Sequence, residues 1–127
     1  MHEIEWFNDS EQHNYPAALS YLSLLFKRKT CSHLVKKLHK KKTVSEFRAK
    51  DIFRASGLSL LGISNKHIER DKQKIRAGEK LSPLLLVRDP VHGKVIIADG
   101  YHRLCAVYSY DEDAMIPCKI VSLPGVK

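Results

Sequence analysis

The spacing of hydrophobic residues changes near residue 43. Residues 17–26 are apolar almost all round, which predicts a buried helix whose cap is Asn14. A second helix, starting at Thr30 or Ser32, separates its apolar residues from its lysines: Cys31, Leu34, Val35 and Leu38 on one face, and Lys36, Lys37, Lys40 and Lys41 largely on the other. We therefore predict an N-terminal helical extension over residues 1–43, folded as a hairpin.

After residue 43 the pattern indicates strands that alternate with helices. The stretch from Val44 to Ile52 is roughly alternating, so part of it is expected to be a strand. Ser64 or Asn65 is placed to cap a helix that ends at Gly78. The remaining elements are a β-hairpin, a helix and a last strand, over residues 83–98, 101–110 and 116–121. We predict an α/β (α+β) domain over residues 44–127, in which helices pack on one side of a small mixed β-sheet.

Composition limits the environment of the chain. Its 127 residues are 43% hydrophobic, enough for one core, and no apolar run approaches the roughly 20 residues that span a membrane. The acidic N-terminus lacks the layout of a signal peptide, so we expect a cytoplasmic protein without a membrane partner. The three cysteines are widely spaced and the histidines are scattered, which argues against disulfides and against a structural metal site.

The positive charge is concentrated in one segment. Residues 27–50 hold ten Lys/Arg and one acid, a local charge of +9, whereas the other residues hold twelve Lys/Arg and thirteen acids. This segment can contact nucleic acid or another anionic surface through Lys36, Lys37, Lys40 and Lys41. It can equally be an ordinary solvated helix face, and the sequence leaves both interpretations open.

One turn carries candidate chemistry, namely the stretch from Asp99 to Arg103. An apolar strand leads directly into a predicted helix, whose free backbone N–H groups and dipole favour an anion. Gly100 allows a ligand to approach the backbone, while His102 and Arg103 add side-chain donors. Asp99 is a candidate metal–phosphate ligand or base, and a plain helix cap is the alternative.

The stretch from about residue 64 to residue 121 resembles the ParB/sulfiredoxin superfamily. The resemblance depends on the Gly-x-x-Arg turn at Gly100–Arg103, the helix after it, and the Ile-Pro strand that begins at Ile116. Sulfiredoxins carry Gly-Cys-His-Arg, and Tyr101 replaces their attacking cysteine here. The free-serine kinase pattern, Asp-Gly-His-His-Arg, is the closest local match, since only Tyr101 departs from it.

This resemblance implies a nucleotide- or phosphate-binding protein. The ligand would be ATP, ADP or CTP with Mg²⁺, and Gly100, Tyr101, His102 and Arg103 would hold its phosphates. On the preceding helix, His67, Arg70 and Lys74 share a face that would lie nearby. Asp99 and Glu46 are the candidate catalytic carboxylates, Glu46 by location only, and phosphotransfer or NTP hydrolysis stays an open alternative.

Two other functions stay in competition with nucleotide binding. The fold also occurs in DNA-partition proteins, so the +9 segment is compatible with a nucleic-acid-binding regulatory module. The turn is also compatible with a purely architectural role, in which the helical hairpin serves as a protein-binding surface or a homodimer interface.

Overall fold

The computed structural model describes residues 3–59 and 66–124, which form five helices and four strands in an α/β arrangement. In chain order the elements are α1 (Asn14–Leu22), α2 (Arg28–Lys40), β1 (Ser45–Arg48), α3 (Ala49–Ser56), α4 (Lys66–Arg76), β2 (Leu84–Asp89), β3 (Lys94–Asp99), α5 (Tyr101–Tyr110) and β4 (Met115–Ser122). The predicted fold class, a mixed sheet with helices packed on it after a helical hairpin, is confirmed. No helix within these residues is long and apolar enough to cross a membrane.

The sheet has the strand order β1-β4-β2-β3, so the last strand of the chain lies inside it. β4 runs antiparallel to β1 and parallel to β2, and β2 pairs with β3 as the predicted antiparallel hairpin. At the hairpin turn, Asp89 accepts hydrogen bonds from the backbone N–H of His92 at 3.2 Å and from its Nδ1 at 2.8 Å. The strand before the candidate turn is therefore fixed by a short, well-closed loop.

Helices cover both faces of this sheet. On one face, α3, α4 and α5 bury residues such as Ile52, Ile68 and Leu104 against the strands. On the other face, α1 and α2 pack against Leu85, Val87, Ile96, Ala98 and Val121. Successive residues of a strand point to opposite faces, so the continuous apolar run of β2 requires cover on both sides. The helical extension therefore covers one of the two apolar faces of the sheet.

The prediction of a helix buried all round from residue 17 to residue 26 is wrong. α1 ends at Leu22, and Leu24 and Leu25 beyond it are 81% and 47% exposed. Asn14 is the first helical residue, and His13 occupies the cap position. The Asn14 side chain is buried and donates its hydrogen bond to Ser82 Oγ at 3.0 Å, which ties the start of α1 to the chain before β2.

The strand predicted over part of residues 44–52 is shorter than the stretch of alternating apolar and polar residues that predicted it. β1 stops at Arg48, and the chain enters α3, which ends at Gly57 with a φ of 68°. Ala49 and Ile52 are three residues apart, and both are buried on one face of α3. Ile52 therefore belongs to a helix that the sequence pattern did not reveal. The predicted caps at Ser64 and Asn65 lie outside the described residues.

Candidate functional site

A polar cleft of about 240 Å³ opens at the start of α5. It lies between α4, the turn from β3 to α5, and the residue that precedes α1. Nine residues line it: His13, His67, Arg70, Asp71, Lys74, Asp99, Gly100, His102 and Arg103. The structure thus brings together the turn and the basic face of α4, which the sequence placed more than 20 residues apart.

Gly100 determines the backbone conformation of the turn. Its φ of 110° lies in the left-handed region, where a side chain is strained. A Cβ there would lie 2.7 Å from Leu84 Cγ and 2.8 Å from Arg103 Nη2, both too close. Glycine is therefore required for the backbone to turn from β3 into α5, and Gly100 itself lines the cleft at the N-terminal end of that helix.

Asp99 and Arg103 form an ion pair across the first turn of α5. Arg103 Nη2 lies 2.9 Å from Asp99 Oδ2, and both side chains are only 17% exposed. Arg103 Nε is buried and has no hydrogen-bond partner among the described residues. Asp99 makes no capping hydrogen bond to the helix. Its contact instead orients the guanidinium, which retains a buried donor that an oxygen ligand would satisfy.

Two histidines stack at the side of the cleft. The ring centroids of His67 and His102 are 4.7 Å apart, with the ring planes tilted by 38°. Burial lowers the pKa of His102, and the proximity of His67 lowers it further. An anion in the cleft would oppose both effects, so its binding would favour a protonated, hydrogen-bond-donating imidazolium.

Asp71 and His13 were missed from the sequence. Burial raises the pKa of Asp71 despite the nearby cations Arg103 and Lys74, so this carboxyl is a candidate proton acceptor in the cleft. Its spacing of four residues from His67 was a usable signal. His13 gave no local signal, because the contacts of Asn14 and Ser10 with residues 82–83 bring its segment to the cleft.

Other predicted site residues lie elsewhere. Tyr101 turns away from the cleft: its hydroxyl donates a hydrogen bond to the carbonyl of Ser59, and its ring meets Phe53 edge-on at 6.5 Å. Glu46 lies on β1 and lines a separate cavity with Trp6 and Tyr110. Four lysines of the alternative nucleic-acid surface lie on or directly after α2 and do not line the cleft: Lys36, Lys37, Lys40 and Lys41.

Within residues 3–59 and 66–124, no three His, Cys, Asp or Glu side chains are grouped to hold a metal ion. The two carboxylates of the cleft, Asp71 and Asp99, are nevertheless suited to a cation that arrives with its own phosphate ligands. Mg²⁺ commonly binds in this way, through one or two carboxylates and the substrate phosphates.

Comparison with known proteins gives no relative from which function can be transferred. No family model, no curated protein and no solved structure matches the chain. The functional interpretation therefore depends on the chemistry of the cleft itself.

Proposed function

We propose that the cleft binds the phosphate end of a nucleotide or of another phosphorylated small molecule. The observation that carries this proposal is the convergence of Arg70, Lys74 and Arg103 on the N-terminal end of α5. A helix N-terminus attracts anions, and guanidinium and ammonium groups are the usual side-chain partners of phosphate. Two independent elements, α4 and the β3–α5 turn, thus supply complementary donors to one small volume.

Each group has a distinct role in the proposed complex. Arg103, held by Asp99, presents a guanidinium of fixed orientation to the phosphate oxygens. Arg70 and Lys74 neutralise the outer phosphate charge, and His102 donates a proton-dependent hydrogen bond. Gly100 allows the close-packed turn that brings Arg103 and the N-terminal end of α5 to the cleft.

The size of the cleft limits what part of the ligand it encloses. At about 240 Å³ it is smaller than the roughly 300–1,000 Å³ of pockets that enclose a drug-sized ligand. ATP, ADP or CTP would therefore place its phosphates in the cleft and leave its sugar and base at the mouth. Asp99 would help to hold Mg²⁺ bound to those phosphates, and Asp71 would remain available for proton transfer.

Phosphoryl transfer or NTP hydrolysis is the more specific form of the proposal. The resemblance of the turn to the free-serine kinase pattern of the ParB/sulfiredoxin superfamily supports it. Asp71 takes the role of base that the sequence assigned to Glu46, because Asp71 lines the cleft and has a raised pKa. In this reaction Asp71 accepts the proton of the attacking hydroxyl or water, while Arg103 stabilises the transferred group.

A cytoplasmic location belongs to the same proposal. Among the described residues, Cys31, Cys105 and Cys118 are buried and form no disulfide, as in proteins of reducing compartments. Burial raises the pKa of Cys118 to about 12, which keeps this thiol protonated and unreactive.

Isothermal titration calorimetry tests the binding proposal. ATP, ADP, CTP and inorganic phosphate are titrated into the protein, each with and without Mg²⁺. The Arg70→Ala/Lys74→Ala variant should weaken phosphate binding about 100-fold or more, since each of the two charged hydrogen bonds contributes about 1.5–3 kcal/mol. The matched control is Lys72→Ala/Lys80→Ala, which removes equal charge outside the cleft.

Two results would contradict the binding proposal. One is the absence of binding by all four ligands. The other is an equal loss of affinity in the cleft variant and in its control, because the effect would then reflect net charge and not the site.

A further inference from the structure

An apolar corner ends the first helix. It consists of Leu19, Tyr21, Leu24 and Leu25, which are 37%, 39%, 81% and 47% exposed. The Leu24 N–H donates to the Tyr21 carbonyl at 3.1 Å and the Leu25 N–H donates to the Leu22 carbonyl at 2.9 Å, so the chain continues in a tight helical turn. Tyr21, Leu24 and Leu25 therefore project side by side from this turn.

A strongly basic surface adjoins this apolar corner. Lys27, Arg28 and Lys29 follow it directly and are exposed. α2 then presents Lys36, Lys37 and Lys40 on its outer face, within the segment whose local charge is +9. In the described part of the chain, no acidic side chain forms an ion pair with any of these six basic residues. We call these six residues the basic face.

The apolar corner and the basic face together indicate which class of partner fits this surface. A second copy of the chain at this site would bring two segments of charge +9 together, which repel each other. Nucleic acid would use the basic face but would leave the exposed leucines of the apolar corner in water. An anionic lipid bilayer can contact both the apolar corner and the basic face, because its phosphates attract lysine and its acyl boundary accepts leucine and tyrosine.

We propose that the apolar corner and the basic face together form a peripheral binding site for an anionic lipid surface. The leucines enter the bilayer to the depth of the headgroup and acyl boundary, about 5–10 Å, while the lysines remain among the headgroups. The cytoplasmic leaflet carries the required negative charge. This inference departs from the expectation of no membrane partner, which considered only a spanning segment, and it is independent of the phosphate cleft.

Vesicle co-sedimentation of the full chain tests the proposal. Vesicles of phosphatidylcholine alone are compared with vesicles that also contain phosphatidylserine. The protein should sediment with the mixed vesicles and remain in solution with the neutral ones. Inorganic phosphate, added at constant ionic strength to occupy the cleft, should leave this binding unchanged, which separates the lipid site from the proposed cleft function.

Matched variants separate the two contributions. Leu24→Ser/Leu25→Ser should weaken vesicle binding about tenfold or more, given roughly 0.8 kcal/mol for each buried methylene. Its control is Val91→Ser, which removes an exposed apolar side chain from the β2–β3 hairpin turn, outside the apolar corner. Lys36→Glu/Lys37→Glu should also weaken binding about tenfold or more, at about 1 kcal/mol per lysine. The corresponding control reverses Lys80 and Lys94, which are exposed outside the segment.

The outcomes decide the proposal. Loss of vesicle binding in both variants, with both controls unaffected, supports it. Equal sedimentation with neutral and anionic vesicles overturns it, and so does a Leu24→Ser/Leu25→Ser variant that behaves like Val91→Ser. If duplex DNA binds tightly in a fluorescence anisotropy titration while vesicles do not bind, the basic face is a nucleic-acid surface and the lipid proposal is wrong.

Discussion

Two constraints act on Gly100: its backbone is left-handed, and the structure has no space for a Cβ at this position. Many glycines satisfy only the first, and Gly93 in the hairpin turn is such a case, with a φ of 61° and open space around it. The two glycines therefore allow the cost of the crowded site to be separated from the cost of the backbone conformation.

Alanine at position 100 should destabilise the protein more than alanine at position 93. Gly93→Ala should cost about 1–2 kcal/mol for its left-handed conformation. Gly100→Ala should cost about 1–3 kcal/mol more, because its Cβ collides with Leu84 and Arg103. Urea unfolding of both variants measures the difference. Equal stabilities would show that the β3–α5 turn is less closely packed than the structure has it.

His102 makes anion binding dependent on pH. Burial and His67 hold its pKa below the usual 6.5 in the free protein, so it is mostly neutral at pH 7. A bound dianion favours the imidazolium and raises the pKa of His102 in the complex. Affinity is therefore greatest below the pKa of the free protein and falls as the pH rises through the pKa of the complex.

Calorimetric titration with sulfate at several pH values checks this dependence. Sulfate is used because it does not itself titrate in this range, whereas phosphate does. The affinity of the parent protein should decline from pH 5 to pH 8 by about tenfold, which corresponds to about 1.4 kcal/mol of binding free energy. His102→Gln should show a smaller decline, and an unchanged profile would contradict the role of His102.

At the scale of the element, a buried lysine joins the N-terminal segment to the sheet. Lys119 on β4 is 1% exposed, and its Nζ lies 2.8 Å from the Tyr15 hydroxyl and 2.6 Å from Asp9 Oδ1. Burial alone would raise the pKa of Asp9, but the hydrogen bonds from Lys119 and from the Ser10 N–H outweigh it and lower that pKa. This contact holds the segment that carries His13 to the cleft.

Asp9→Asn should destabilise the protein by about 1 kcal/mol at neutral pH, since Lys119 loses a charged partner but Asp9 is itself largely exposed. A lowered carboxyl pKa contributes stability above its unfolded value of 3.8, and this contribution is lost as the pH falls below it. The difference between parent and variant should therefore shrink in acid. Urea unfolding at several pH values measures it.

Asp113→Asn provides the matched control. It removes the exposed ion pair with Lys50, whose two side chains are 58% and 42% exposed, and should change stability little. If Asp113→Asn lowers the free energy of unfolding as much as Asp9→Asn does, the burial of Lys119 does not strengthen its contact with Asp9.

Strong local patterns determined which elements the sequence could predict. The hairpin is bounded by turn residues, and α5 follows Gly100 and continues to Tyr110, as expected. α3 was missed because its eight residues contain only about two periods of helical spacing and stand next to a strand-like run. The overlong first helix was predicted because residues 23–26 are as apolar as those that α1 buries, and composition alone does not show which apolar residues find a partner.

The residues of the candidate site could also be predicted to different degrees. The turn residues Asp99, Gly100, His102 and Arg103 are consecutive or nearly so, and their chemistry is visible locally. Placing α4 beside them needed a fold, which the resemblance supplied. His13 depends on long-range contacts of its neighbours with residues 82–83, and no pattern within the segment encodes them.

At the scale of the whole molecule, the helical extension is part of the packing of the sheet. Without it, five side chains on one sheet face would be uncovered: Leu85, Val87, Ile96, Ala98 and Val121. A chain shortened to residues 44–127 should therefore lose cooperative unfolding and associate through this face. Thermal unfolding by circular dichroism and size-exclusion chromatography test this. A monomeric shortened chain with a sharp transition would show that residues 44–127 fold independently.

The position of β4 has a consequence for synthesis of the chain. Among the described strands β1 pairs with β4 alone, and the register joins Ser45 to Cys118. A ribosome that has not yet released residues 115–122 therefore holds a nascent chain in which β1 has no neighbour and one edge of β2 is open. Open edges of this kind promote association between chains. β4 therefore joins the two parts of the sheet, and any delay in the synthesis of residues 115–122 leaves β1 without its partner.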